Sequence, residues 1–298
     1  MLLMFMDIQQ RILVTGITSI HGWPIWRGLS GILDSDQLTG IRPPQMRAPV
    51  SENVAAVCIT DREQLKRIRD QFRPTCVVHC AGVCDLDLCE ERPEWAYDLN
   101  VNGTRAVTEI FGDTCKIYYM STDLVFSGET PPESGYTENH APDPVSIAGK
   151  TFCEAEQVLA EREDTCTIRL GLPLGDSITG DKGAIDWIKS RLTKNRPVTL
   201  FYDELRSCIW CDQIAEMTLA MLPLNLRGLY HFGGNQPWTL HEIGQYVQDK
   251  YQTPPHLLKG IHRHEEKNGP PRIGDVSMNC TKLKITLNSA QISIPDFN

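Results

Sequence analysis

The sequence has no block of lysine or arginine. Its 29 basic residues are scattered among 38 acidic ones, giving a net charge of -9 over 298 residues. A surface that tracks nucleic-acid phosphates or an anionic membrane needs clustered positive charge, so no nucleic-acid and no membrane partner is expected. Long apolar runs are lacking too. The first, Met1 to Met6, stops at Asp7 without a basic flank. That is far too short for a leader or a span, and the expected location is the cytoplasm. No G-x-S-x-G follows a strand-like run, so a serine hydrolase has no support. No internal repeat or low-complexity linker divides the chain, whose length suits one large α/β domain or two closely joined ones.

Cysteine is plentiful, with eleven residues, but metal-ligand spacing is not. Cys208-Ile209-Trp210-Cys211 has no second pair to complete a zinc site, and it falls in a strand-like stretch rather than on a redox helix. Reduced, mostly buried thiols and no metal are expected. His262, His264, Glu265 and Glu266 lie in a Pro-rich segment and read as a polar lid over a ligand.

Short β-rich runs alternate with helical stretches. Residues 11–15, 54–59, 75–82, 116–126 and 165–172 read as strands, with helices between most of them, including DREQLKRIRDQF and WAYDLNVNGTRAVTEIF. Such alternation implies a parallel sheet covered on both faces, the doubly wound α/β class. After residue 171 the rhythm breaks into helices near 186–198, 212–222 and 239–251 and strand-like runs near 198–204 and 228–234. The stretch 253–277 has too many Pro and Gly residues for a regular element and is expected to be a loop laid over the body. A cleft between the two parts is the default binding site.

Thr15-Gly16-Ile17-Thr18-Ser19-Ile20-His21-Gly22 follows the first strand and opens the first helix. Glycine there lets the backbone turn tightly and approach a pyrophosphate held on the helix N-terminus. A tight strand-to-helix turn is the plain alternative, and Ser19 at the loop's centre would crowd a diphosphate unless the loop relaxes. Its place in a β/α repeat favours dinucleotide binding on a Rossmann-like sheet. At the end of the second strand, Arg42 suits a 2′-phosphate and leans the choice between NADP and NAD toward NADP, an exposed surface arginine being the other reading.

Several segments together resemble an extended short-chain dehydrogenase/reductase of the dTDP-4-dehydrorhamnose reductase family, RmlD-like. They are the loop 15–22, His79-Cys80-Ala81-Gly82, Asn100-Val101-Asn102-Gly103-Thr104, Ser121 to Gly128, Tyr136-Thr137-Glu138, Asp203 to Ser207, and Arg272 to Lys282, all in family order. The resemblance implies a Rossmann-like NAD(P)-binding domain over residues 9–170 and a smaller substrate-binding part over 171–298, partly interleaved with it. It implies cofactor contacts from Thr15, Gly16, Ser19, Ile20, Gly22, Arg42, Ile59, Ala81, Gly82 and Asn100. Thr122 would bond the substrate carbonyl, with Asp123 beside it, and Arg206 would meet the nucleotide phosphates of a sugar substrate.

The family's chemistry rests on a Tyr that donates a proton and a Lys four residues later that lowers the phenol pKa. With register pinned by Tyr136-Thr137-Glu138 and Gly149-Lys150-Thr151, Ala148 stands at the Tyr position and Phe152 at the Lys position. Lys150 is turned about 200° away from position 148 on a helix and does not replace them. The family also often has an acid where Cys58 stands, and an aromatic is missing from Arg169-Leu170-Gly171-Leu172. Two readings follow: an NAD(P)-dependent keto reduction on a nucleotide-linked deoxysugar, or a catalytically silent dinucleotide-binding or regulatory subunit, as a homo-oligomer or with a partner enzyme.

Overall fold

A computed structural model describes residues 10–46 and 53–289; the apolar run Met1 to Met6 and the expected outer ends of the two parts, at 9 and 298, lie outside these. The first half runs β1 (Ile12–Thr15), α1 (Gly22–Ser30), β2 (Leu38–Arg42), β3 (Val54–Ala56), α2 (Arg62–Phe72), β4 (Cys76–His79), α3 (Leu86–Glu91), α4 (Pro93–Tyr97) and α5 (Gly103–Phe111). A π-helical turn, Asp98–Asn102, joins the last two. Then come β5 (Lys116–Thr122), α6 (Ile147–Ala160), β6 (Thr165–Leu170), β7 (Pro173–Leu174), α7 (Gly183–Leu192), β8 (Val198–Phe201), β9 (Leu205–Arg206) and β10 (Ile209–Trp210). The chain continues through α8 (Cys211–Met221), β11 (Gly228–Phe232), β12 (Trp238–Thr239), α9 (Leu240–Tyr251), β13 (Leu258–Ile261) and α10 (Thr281–Ser289).

Seven parallel strands form the central sheet in the order β11-β6-β5-β4-β1-β2-β3. Every residue of β1, β4 and β6 is buried, as a sheet covered on both faces requires. One face packs α1 and α8 through Trp26, Leu29, Ile214 and Met217; the other packs α2, α5 and α6 through Leu65, Phe111 and Ala155. Thus α8 and β11, both from beyond residue 171, complete the sheet and its cover. A third apolar cluster, around Ile188, Leu200, Ile243 and Val247, holds α7, β8 and α9 together. Among the described residues no helix is long and apolar enough to cross a membrane.

Local sequence explains the helix starts. Asp61 caps α2 by accepting from the Gln64 N–H, and Thr239 with Glu242 forms a reciprocal capping box on α9.

Two expectations need correction. The stretch 253–277 is not all loop: Leu258–Ile261 pairs in parallel with β8, because apolar Leu258 and Ile261 reach the third cluster and that burial outweighs the flanking Pro and Gly. Cys211 is not in a strand but opens α8, while Cys208 precedes the two-residue β10. All eleven thiols are free and most are buried; burial pushes both Cys208 and Cys211 up to about 12.

His79 and His231 are buried and His21 is half-buried, and all three are held in neutral form. Burial lowers His21 to about 4, against a backbone hydrogen bond at Cys80, and lowers His79 and His231 to about 3. An unfolded histidine titrates near 6.5, so below that pH the unfolded chain binds more protons than the native one. Stability is therefore full above about pH 6.5 and falls as pH drops toward 3, by about 1.4 kcal/mol per pH unit for each histidine. Urea unfolding at pH 5.0 is expected to show roughly 2 kcal/mol less stability per buried histidine than at pH 7.5. An unchanged midpoint would contradict this.

Candidate functional site

In the sheet order, β1 leads on one side to β2 and on the other to β4, so the direction of winding reverses between β1 and β4. Open α/β sheets bind ligands in the crevice beyond the strand C-termini at such a point. Here the loops after β1 and after β4 meet. Gly16 has φ +63, and a Cβ there would lie 2.6 Å from the Ala81 backbone N and Cα and from the Cys80 carbonyl oxygen. A Cβ on Gly22 would lie 2.3 Å from the Gly16 carbonyl oxygen. Both glycines are thus required by close protein contact, Gly16 against the loop after β4 and Gly22 within its own loop. Gly16→Ala is expected to cost about 2–4 kcal/mol, from the left-handed backbone and the clash together, and to abolish any ligand binding in the crevice. Thermal unfolding with calorimetry on the variant checks both.

The remaining loop residues are also placed. The Ser19 hydroxyl accepts the Gly22 N–H at 2.9 Å, at the start of α1. Ile20 is buried, packs beside Gly183, and its carbonyl accepts from the Cys211 thiol. The phosphate-type loop is therefore fastened to the C-terminal part. His21 takes the N-cap of α1, with a backbone hydrogen bond at Cys80.

Beneath the loop runs a closed polar chain. Thr15 Oγ1 accepts the Cys80 and Ala81 N–H groups at 3.2 and 3.3 Å and lies 2.7 Å from His79 Nδ1. His79 Nε2 is 3.1 Å from Thr104 Oγ1, which donates to the Asn100 carbonyl. Because Thr104 spends its proton on Asn100, His79 carries its proton on Nε2 and accepts from Thr15. Thr15 and His79 are fully buried, so they hold the loops in place and do not face the crevice. Asn100 is buried as well. Its amide accepts the Val83 N–H at 2.7 Å and donates to the Val83 carbonyl and the Thr151 hydroxyl, fixing the loop after β4 to α6.

On the β2 side, Arg42 Nη1 donates to the carbonyls of Pro43, Pro44 and Met46 and so folds back on its own turn. Ile59 is buried against Gly103. Cys58 lies within 3.2 Å of the Thr60 hydroxyl.

On the β5 side, Thr122 ends the strand, and its hydroxyl accepts the Leu124 N–H and donates to Asp123 at 3.3 Å. Asp123 is fully buried and takes the Arg206 guanidinium through both oxygens, Nε at 2.7 Å among them. Glu204 follows at 3.9 Å, and Arg272, stacked over the Phe201 ring, lies 3.0 Å from Glu204. Arg206, expected at a substrate's phosphates, is only 6% exposed and is engaged inside the protein by this cluster. Burial alone would lower its pKa, but the Asp123 carboxylate outweighs that and keeps it protonated.

Ala148 and Phe152 share one face of α6 and are both buried. The Phe152 ring stacks on Tyr119 at 6.2 Å and lies 3.1 Å from where a Gly82 Cβ would be. Gly149 explains why this helix comes so close: a Cβ there would meet the Leu124 carbonyl oxygen at 2.1 Å. Lys150 is exposed.

A second buried ion pair escaped sequence reasoning. Arg169 on β6 grips Glu156 on α6 at 2.6 to 3.2 Å, and Ser121 donates to the same carboxylate. The available signal was a lone arginine inside the apolar strand TCTIRL, which demands an acid nearby. A cavity of about 300 Å³ in the C-terminal part is lined by Leu174, Cys208, Trp210, Gln236 and Trp238.

The family model described as the RmlD substrate binding domain matches residues 10–294. The chain belongs to the RmlD family. Its fold is shared with the NADP complex of dTDP-4-dehydrorhamnose reductase from Bacillus anthracis, at a TM-score of 0.79 and 19% identity over 97% of this chain and 96% of that one. UDP-glucose 4-epimerase from Thermus thermophilus, complexed with NAD, superimposes at a TM-score of 0.81 and 21% identity, covering 96% of this chain and 94% of that one. In sequence, this RmlD-family chain is 27% identical to methionine adenosyltransferase 2 subunit beta of Xenopus tropicalis over 76% of its own length and 69% of the relative's. The doubly wound sheet of an extended short-chain dehydrogenase/reductase is thus the observed architecture.

Proposed function

We propose that this RmlD-family protein binds NADP(H) or NAD(H) in the crevice between the loops after β1 and β4 and acts as a non-catalytic, regulatory chain. The observation that carries the reading is the pair Ala148 and Phe152, buried and apolar on the face of α6 where the family places its Tyr and Lys. The crevice suits a diphosphate. The turn 15–22 brings the N-terminus of α1 to the point where the winding of the sheet reverses, and a helix N-terminus there favours a diphosphate's charge. A bound dinucleotide supplies hydride chemistry, yet among the described residues neither position 148 nor position 152 offers a group to donate the matching proton.

In this reading residues 9–170 hold the dinucleotide through the loop 15–22, Arg42, Ile59, Ala81, Gly82 and Asn100, several of them by positioning the backbone rather than by touching the ligand. Residues 171–298 form the second part. A regulatory role is supported by the likeness to the Xenopus subunit, whose name makes it one chain of a larger enzyme, so the partner is a second, catalytic chain. Arg42 supports NADP, since a 2′-phosphate can replace the three carbonyls its guanidinium now bonds. Eleven free thiols fit a reducing cytoplasm.

Calorimetry with NADPH and NADH tests the reading, and binding of NADPH more tightly than NADH is expected. Binding of neither removes its basis. A second reading, keto reduction of a nucleotide-linked deoxysugar, is favoured by Thr122 at the end of β5 and by the Trp-lined cavity.

A further inference from the structure

A dinucleotide laid across the β1/β4 crevice has one half over the β2 side and the other over the β4–β5 side, because the two mononucleotide-binding halves of such a sheet meet at that point. The two sides differ in what they offer. On the β1–β2 side lie the N-terminus of α1, at the point where the winding reverses, and the half-buried Arg42 guanidinium, whose Nη1 bonds carbonyls of its own turn. On the β4–β5 side the polar side chains of Asn100, Thr151, Ser121, Thr122 and Arg206 are already engaged within the protein. Asn100 is held by Val83 and Thr151, and Thr151 donates to the carbonyls of Ile147 and Ala148. Ser121 is held by Glu156, Thr122 by Leu124 and Asp123, and Arg206 by Asp123. At the two α6 positions nearest the loop after β4 the side chains are apolar: Ala148, and the Phe152 ring against Gly82.

A ribose and a carboxamide placed against such a wall gain no hydrogen bonds there and lose those they make to water, so they add little affinity. We propose that this chain recognises the adenosine diphosphate half of its ligand and is indifferent to the nicotinamide half. Its ligand class is then the adenosine diphosphates, with or without a 2′-phosphate, of which the intact dinucleotide is one member. It follows that the oxidised and reduced dinucleotides, which differ only in the nicotinamide ring, bind alike. The protein responds to the amount of nucleotide and not to its redox state.

The inference rests on the dinucleotide-binding reading above, and one titration series separates the two. Calorimetry on the full chain compares NADPH and NADP⁺ with 2′-phospho-ADP-ribose, and NADH with ADP-ribose. The expected result is dissociation constants within about threefold of one another in each set, or a tighter fragment. A dinucleotide that binds more than about threefold tighter than its fragment, or a like gap between NADPH and NADP⁺, overturns the inference while leaving the crevice reading intact. No binding of any of the five compounds overturns both. In the double variant Ala148→Tyr, Phe152→Lys, polar groups return to the wall, and the dinucleotide is expected to gain at least about tenfold over its fragment. A folded double variant, judged by thermal unfolding, that shows no such gain overturns the inference; the comparison on the unmodified chain decides the matter if the variant does not fold.

Discussion

The double variant Ala148→Tyr, Phe152→Lys is expected to oxidise NADPH on dTDP-4-keto-6-deoxyglucose at least about 10²-fold faster than the unmodified chain, whose turnover should match the uncatalysed background. The magnitude follows from what a positioned proton donor contributes, about 10²–10⁴ in rate, or roughly 3–5 kcal/mol at 1.36 kcal/mol per decade. Geometry favours the restoration. The two positions are one helical turn apart on one face of α6, Phe152 meets Gly82, and Thr122 ends β5. Two features oppose it. Ala148 is fully buried, so a phenol there overpacks the first turn by about 1–3 kcal/mol, and the Phe152 ring is lost from its stack on Tyr119. Each single variant should stay near background, since donor and pKa-lowering cation act as a unit. Robust turnover by the unmodified chain would sink the non-catalytic reading.

Asp123→Ala should be the most destabilising single substitution around the crevice, by about 3–5 kcal/mol in urea unfolding. Asp123 is fully buried, and its partner Arg206 is nearly so. Removing the carboxylate leaves a guanidinium out of water with only Glu204, at 3.9 Å, to answer its charge. Glu204 is a weak substitute: burial pushes its carboxyl up, and Arg272 already competes for it. The double variant Asp123→Leu, Arg206→Met should lose markedly less than Asp123→Ala, because neither charge is then stranded. A small loss in Asp123→Ala, or a loss as large in the double variant, would show that the pair does not hold the end of β5 to β9.

How much of this was legible beforehand depended on the range of the interactions. The β/α alternation, the strand boundaries near β1, β4 and β6 and the glycine loop could be read locally, since each rests on a run of a few residues. That Ala148 and Phe152 fall at the family's Tyr and Lys positions was read from register on both sides of the stretch, and both side chains are buried on α6. The role of Arg206 was not, because Asp123 lies 83 positions away and nothing in either neighbourhood announces the other. Likewise β13 exists only because β8 and the third cluster are there to receive it; the Tyr202 N–H bond to the Ile261 carbonyl is part of that pairing. The bond from the Gly22 N–H to the Ser19 hydroxyl, at the start of α1, is a geometric detail that composition does not announce.

The return of β11 to the sheet has a consequence for synthesis. Strand β6 is finished at Leu170, but its outer neighbour begins only at Gly228. While the intervening segment is being translated, β6 is a bare edge whose six side chains are all destined for burial. Such an edge is a template for pairing with a neighbouring nascent chain. The interval before β11 emerges is thus when the growing polypeptide most needs a chaperone, and a chain terminated just before Gly228 should accumulate in inclusion bodies rather than as a smaller folded protein.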